Sequence, residues 1–247
     1  MKRFLHILAF GASLAGILLC SCNKDGSRCL SPSGRIIIQD RHISEFDSIR
    51  VLDNVDVILV QDSMNRVQVE AGENIIGGIR TELSGRELVL SNSNMCNWMR
   101  SYSKPINVYV SVKNLLKINY DGSGDIHCTD TIRTGYLKLE MWGGCGNINL
   151  KINVDDGYFI QYMGTATLVV SGICKISNVH AGDYGLLNLG ALKTGYTFVT
   201  NNSSNDCYVS AIHGINATIS SIGNIYYKGD PVAINLTVTG TGKLIRY

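Results

Sequence analysis

Several sets of residues in this chain are of types that can do chemistry, and their spacing limits what that chemistry is. Asp125, Asn147, Asp206 and Asn224 recur three residues after the start of one short repeated phrase. Such a row of oxygens is the raw material of a calcium ladder, but calcium needs several oxygens around one ion. Thr167, Gly185 and Lys243 interrupt the row and no second acidic row accompanies it, so the pattern reads as turn-forming Asx residues. Asp155-Asp156 is a carboxylate pair of the kind a glycosidase uses, but beside Gly157 it is equally the composition of a turn. His42, His127, His180 and His213 fall at different offsets of the repeat, whereas metal ligands must converge. Only His180 is a candidate for facing inward. No Ser-His-Asp or Cys-His arrangement can be placed by spacing. Cys29, Cys96, Cys128, Cys145, Cys174 and Cys207 contain no CxxC pair, hence no zinc or thioredoxin-like pattern. Cys128 and Cys207 fit as small inward core residues. Tyr136, Tyr184, Tyr196, Tyr208 and Tyr226 lie near turns or outside the inward parity, where exposed rings could stack on sugars or contact a protein. The expected catalytic, metal and cofactor residues are therefore none.

Cys22 is different, because its surroundings specify a modification. A basic Met1-Lys2-Arg3 start is followed by an apolar run from Phe4 to Leu19, then Leu19-Cys20-Ser21-Cys22. A basic start, a short apolar run and a small-residue exit form an export signal. The exit resembles a lipoprotein box, with Leu19 three before and Ser21 one before the acylated Cys22. Residues 1–21 are then the signal and 22–34 a polar, Gly/Ser-rich tether. Removing Lys2 and Arg3 leaves 20 basic and 20 acidic residues. No basic field remains to attract nucleic acid, and membrane attachment rests on acyl chains rather than a polybasic patch.

The elements that must position the other candidates are strands. Val, Ile and Thr number 58 of 247 residues, and after the first 21 positions Ala, Glu and Gln total 17. That balance favours β structure. In residues 116–247 a phrase recurs: Gly122-Ser123-Gly124-Asp125-Ile126, then copies beginning at Gly144, Gly164, Gly182, Ser203, Ser221 and Gly240. A period near 20 residues with a turn in each copy predicts a β-solenoid. Strand rungs stacked about 4.8 Å apart would make a rod roughly 30–35 Å long. Alternation before the phrase predicts inward Leu116, Ile118 and Tyr120; Tyr158, Ile160 and Tyr162; Ile215, Ala217 and Ile219; and Ile234, Leu236 and Val238. After it, Ile126, Ile148, Leu168, Leu186, Cys207, Ile225 and Leu244 should form one inward column. Return turns are expected at Thr134-Gly135, Asp156-Gly157 and Thr194-Gly195, with glycines serving positive φ. Two copies fit badly. Leu137, Leu139 and Met141 have the wrong parity unless a bulge restores it, and Asn178, His180 and Asn188 stand where apolar residues are expected. Leu244 to Tyr247 is expected to close the C-terminal end, with Arg246 guarding the edge.

Residues 35–115 are strand-rich without the phrase, and with residues 116–247 they make one domain, 35–247. Phe46-Asp47-Ser48-Ile49, Val55-Asp56-Val57, Val67-Gln68-Val69-Glu70-Ala71, Ile79-Arg80-Thr81-Glu82, Lys104-Pro105-Ile106 and Gly122-Ser123-Gly124-Asp125-Ile126 occur in an order and spacing that resembles the putative autotransporter adhesin, head GIN domain family. The resemblance spans about Phe46 to Tyr247. It implies an all-β, right-handed parallel β-helix, export with a lipid anchor in a Bacteroidota-type envelope, and a suggested adhesion role, with no catalytic motif to carry across. The expectation is a non-catalytic binding or adhesion module of the cell envelope, held in the outer membrane through its lipid, with a glycan or protein ligand. The alternatives are a carbohydrate-active enzyme on the same fold and a passive structural lipoprotein.

Overall fold

The computed structural model describes residues 32–95 and 106–247. The signal, Cys22, nearly all of the tether, Cys29 and Cys96 lie outside the described residues. The first part contributes β1 (Ile36–Arg41), β2 (Ser48–Asp53), β3 (Asp56–Gln61), β4 (Arg66–Gly72), a 3₁₀ turn (Ile76–Gly78), β5 (Ile79–Ser84), β6 (Glu87–Asn92) and β7 (Asn107–Val112). The repeat contributes β8 (Lys117–Gly122), β9 (Ile126–Cys128), β10 (Ile132–Trp142), β11 (Asn147–Met163), β12 (Thr167–Ala181), β13 (Leu187–Asn201), β14 (Cys207–Ser210), β15 (Gly214–Ile219), β16 (Ile225–Lys228), β17 (Ala233–Val238) and β18 (Leu244–Arg246). From β8 and β9 onward every pairing is parallel and joins one coil to the next, which makes a parallel β-solenoid.

Three columns of inward side chains run along the rod. After the turn, the pairing links Val57, Ile126, Ile148, Leu168, Leu187, Cys207, Ile225 and Leu244 in register. Before it, one column links Ile49, Ile118, Leu139, Phe159, Val179, Val199, Ala217 and Leu236, and another links Val51, Tyr120, Met141, Gln161, Ala181, Asn201, Ile219 and Val238. Stacking like residue on like residue buries apolar surface on both neighbours at once, so each coil is stable only within the stack.

The repeat reading needs four corrections. In the third copy Phe159 and Gln161 face inward, while Tyr158, Ile160 and Tyr162 face out. The turn there and in the second copy holds one extra residue, which inverts the parity before it. Leu137, Leu139 and Met141 are accordingly buried, and the register slips where Met141 meets Gln161 but Trp142 meets Met163. In the fourth copy the phrase starts one residue later, so Leu187 rather than Leu186 is buried. Asn178 and His180 face outward there, with Ser177, Val179 and Ala181 inside. The small buried polar pair is instead Ser177 with Thr197, their hydroxyls 3.1 Å apart. The expected return turns are bends within continuous strands, β10 at Gly135, β11 at Gly157 and β13 at Gly195.

The fourth correction concerns the glycines. Only Gly164 among the phrase glycines has positive φ. At the third phrase position a Cβ on Gly124, Gly146, Gly185, Gly223 or Gly242 would lie 2.1 to 2.4 Å from a backbone oxygen of the neighbouring coil. Glycine stands at these five because the turns nest too closely there for a Cβ, whereas Ala166 and Asn205 occupy the position in the other two copies.

The first part belongs to the same solenoid. The coil of β2 and β3 is inserted between that of β6 and β7 and that of β8 and β9. Chain order and stacking order therefore differ here, and this is why no 20-residue period is visible before residue 116.

Candidate functional site

The polar residues of the inner columns serve the turns. Tyr120 donates its hydroxyl to Gly124 O at 2.7 Å and accepts from Gly146 N at 2.9 Å, and burial pushes it up to about 12. Gln161 Nε2 donates to the carbonyls of Gly164 and Ala166, and Asn201 Nδ2 to those of Asn205 and Asn224. These groups satisfy turn backbone that would otherwise be buried unpaired. They are structural.

The Asx row is also structural. Asp125 Oδ1 accepts from Asn147 N, Asp206 Oδ1 from Asn224 N, each at 2.8 Å, and Asn224 Oδ1 from Lys243 N at 2.9 Å. Each side chain staples its turn to the next. Asp56, which the phrase search did not reach, begins the row by accepting from Asp125 N at 2.8 Å. Burial raises the Asp56 carboxyl above its ordinary value. Among the described residues no group of three or more His, Cys, Asp or Glu is placed to hold a metal ion.

Asp155 and Asp156 sit in the bend of β11, where Asp155 pairs with Lys175 on the next coil at 2.7 Å on the open surface. His213 packs against Tyr196, ring centroids 5.4 Å apart. His180 is not an inward residue: it lies half-buried on the outer face, 6.3 Å from Tyr162, and that burial lowers its pKa. Among the described cysteines all four are free thiols. Cys207 is fully buried and pushed up to about 12, and burial takes Cys174 to about 11. Cys128 is half-buried, with its Sγ accepting from Lys151 N at 3.0 Å.

Aromatic residues converge on one wall of the solenoid, the outer face formed by the second halves of β10 to β13. Trp142 and Tyr162 stack with ring centroids 4.1 Å apart, and Tyr136 tilts against Tyr158 at 5.4 Å. Ile176, Tyr196 and Phe198 extend this exposed apolar surface along the rod. Trp142 and Tyr162 remain 46% and 37% exposed although each covers the other. Beside them opens a cleft of about 330 Å³ lined by Arg50, Lys117, Asn119, Asp121 and Glu140.

The cleft is electrostatically fixed. Glu140 accepts from Lys117 Nζ at 2.7 Å and Lys138 Nζ at 2.8 Å, with its side chain only 6% exposed. Tyr162 donates to the same carboxylate at 3.3 Å. Burial pushes the Glu140 carboxyl up, but the two lysine hydrogen bonds outweigh it and hold it below the ordinary value. The carboxylate in turn raises Lys138. Arg50 pairs with Glu87 at 3.0 Å. Polar groups are thus held rigidly at the edge of a flat aromatic platform.

Of the five tyrosines singled out by sequence, Tyr136 and Tyr196 lie on this wall. Tyr184 stands on a turn. Tyr208 and Tyr226 stack at 5.1 Å on a different wall, closed by Tyr247 edge-on. Trp142 and Tyr162 were missed because the parity shift hid them. The usable signal was that Leu137, Leu139 and Met141 must be buried, which forces Trp142 outward.

The family described as putative auto-transporter adhesin, head GIN domain matches residues 45–231. This chain belongs to that family. Three solved structures share the fold. A putative adhesin from Bacteroides fragilis NCTC 9343 is 22% identical with a TM-score of 0.80, over 87% of this chain and 99% of the other. A putative lipid binding protein from Parabacteroides distasonis ATCC 8503 is 21% identical with a TM-score of 0.69, over 87% and 97%. A putative adhesin from Parabacteroides merdae ATCC 43184 is 15% identical with a TM-score of 0.65, over 87% and 98%. The head GIN domain of this chain is therefore the solenoid itself. Comparison with the curated proteins finds no match.

Proposed function

We propose that this head GIN protein is a non-catalytic envelope binding module that holds a glycan on the Trp142–Tyr162 platform. The observation that carries the reading is the exposed aromatic stack beside the cleft of Lys117, Asn119, Asp121 and Glu140. A pyranose presents an apolar C–H face to an aromatic ring and hydroxyls at its rim. The platform offers the first partner and the cleft the second. The outer wall continues along the rod axis through Ile176, Tyr196 and Phe198, which suits an extended chain rather than a single sugar. Glu140 is held ionised by two lysines, so it serves as a hydrogen-bond acceptor rather than as a general acid.

The module is exported and anchored in the outer membrane by acyl chains on Cys22, with residues 22–34 as tether. The lipoprotein box and the family's adhesin description support this placement. Metabolic labelling with an alkyne fatty acid tests it: the chain should label, and Cys22→Ala should abolish both label and membrane retention.

Glycan microarrays followed by titration calorimetry test the ligand. Trp142→Ala should weaken binding of any retained glycan at least tenfold, while Tyr208→Ala on the other wall leaves it unchanged. Equal binding by the Trp142→Ala protein would refute the platform. Binding of no glycan would favour the passive envelope role, and cleavage of a retained glycan would favour the enzyme.

A further inference from the structure

The two ends of the solenoid are finished differently. At the N-terminal end β5 lies antiparallel on β6, while β4 lies antiparallel on β7 and β1 on β4. These strands run against the parallel stack and terminate it. At the C-terminal end β17 pairs with β15 and β18 with β16, and no described residue covers the far side of either. The expected closure by Leu244 to Tyr247 is not seen: among the described residues β18 is the last rung of its wall, and Tyr247 folds outward onto Tyr208 and Tyr226. Ile234, Leu236 and Val238 continue the inward columns of Ile215, Ala217 and Ile219. The upper three are 48%, 48% and 44% exposed, whereas the three beneath are 2%, 0% and 0%.

The β17 wall of the open end is electrically quiet, and the charges of this end, Lys243 and Arg246, lie by β18. No charged residue occurs from Pro231 to Gly242. Arg246 sits on β18 and is paired with Asp230 at 3.0 Å, so it puts no charge on the β17 edge. Natural edge strands are blunted by charge, proline or a bulge, and β17 itself, Ala-Ile-Asn-Leu-Thr-Val, carries none of these.

We propose that this end is the interface of a twofold dimer, in which β17 of one copy pairs antiparallel with β17 of a second. A dyad perpendicular to the sheet at Leu236 keeps inward residues inward. Leu236 then faces the partner's Leu236, and Ile234 faces the partner's Val238. The column reads Ile-Leu-Val one way and Val-Leu-Ile the other, so it is self-complementary. A single extended peptide would extend one wall and leave the core column open. A second solenoid end covers the column and both walls together; the β17 edge sets no like charges against each other, and on the β18 wall Arg246 is paired with Asp230. Two walls about 10 Å apart and strands about 20 Å long give an end of roughly 400 Å² once the walls are included. That is about half the usual area per partner of about 800 Å², so the dimer is weak and concentration-dependent.

Sedimentation velocity of the purified full-length protein in density-matched detergent, from about 1 to 300 μM, tests this. The protein should pass from monomer to dimer, and Leu236→Lys should remain monomeric. Ser84→Lys, at the opposite end, should dimerise normally. Should Leu236→Lys disturb folding by circular dichroism, the double variant Asn235→Lys/Thr237→Lys places like charges opposite each other across the dyad without touching the core, and should also stay monomeric. A wild-type monomer throughout the range, or variants at the open end that dimerise as well as wild type, would overturn the proposal.

Discussion

Replacing Tyr120 by Phe isolates one atom that ties two turns together. The hydroxyl donates to Gly124 O at 2.7 Å and accepts from Gly146 N at 2.9 Å, and the side chain is fully buried. Phe keeps the ring and its place between Val51 and Met141, so packing changes little. What is lost is both hydrogen bonds, leaving a buried carbonyl and a buried N–H without that partner. An unsatisfied buried group costs about 1–3 kcal/mol, so two give about 2–4 kcal/mol after partial relaxation. For a domain of this size each kcal/mol moves Tm by about 2–4 °C, which predicts a fall of about 4–16 °C. Thermal melts and guanidinium titrations of wild type and variant measure it, with Tyr158→Phe on the outer face as a control expected within about 0.5 kcal/mol. A loss below about 1 kcal/mol for Tyr120→Phe would mean that the turns do not depend on side chains from the strands before them, and the structural role given to Gln161 and Asn201 would fall with it.

Three further outcomes are expected. Glu140→Gln should cost about 1–3 kcal/mol, less than a fully buried ion pair because both lysines are about one-third exposed. The folded pKa of Glu140 is depressed, so its contribution is complete above the ordinary value of 4.5 and fades as pH falls through the lower folded value; the Tm gap between wild type and variant should narrow in melts below about pH 4. Iodoacetamide followed by peptide mapping should alkylate exposed Cys145 in the native protein, but Cys174 and Cys207 only after denaturation, since both are buried thiols with raised pKa. Gly223→Ala, whose Cβ would lie 2.1 Å from Asn205 O, should destabilise by at least about 1–3 kcal/mol, while Gly135→Ala, which meets nothing within 4 Å, should be neutral or slightly stabilising in the same denaturation assay.

The repeat was legible because a solenoid demands the same residue types at the same place in every coil. Ile126, Ile148 and Ile225 stack in one column as their spacing predicts. The odd parity of the second copy was legible in Leu137, Leu139 and Met141 and is met by a register slip. In the fourth the phrase starts one residue later than it reads. The parity of the third was not legible, because one additional turn residue inverts every side chain of the strand before it and leaves no trace in composition. That inversion placed Tyr162 inside on paper and outside in the fold, and concealed the aromatic platform. The recurrent glycines were visible, but their cause was not: a requirement for positive φ and a requirement for close approach give the same letter.

Composition and periodicity alone determined that this chain is a β-solenoid, since alternation and turn phrase are local patterns that act within a few residues. Tertiary structure alone decided that the coil of residues 48–61 inserts between later coils, that Trp142 meets Tyr162 beside Glu140, and that Ile234, Leu236 and Val238 are left uncovered. Those facts depend on which coil lies against which, and stacking order is set by burial summed over the whole rod rather than by any one segment.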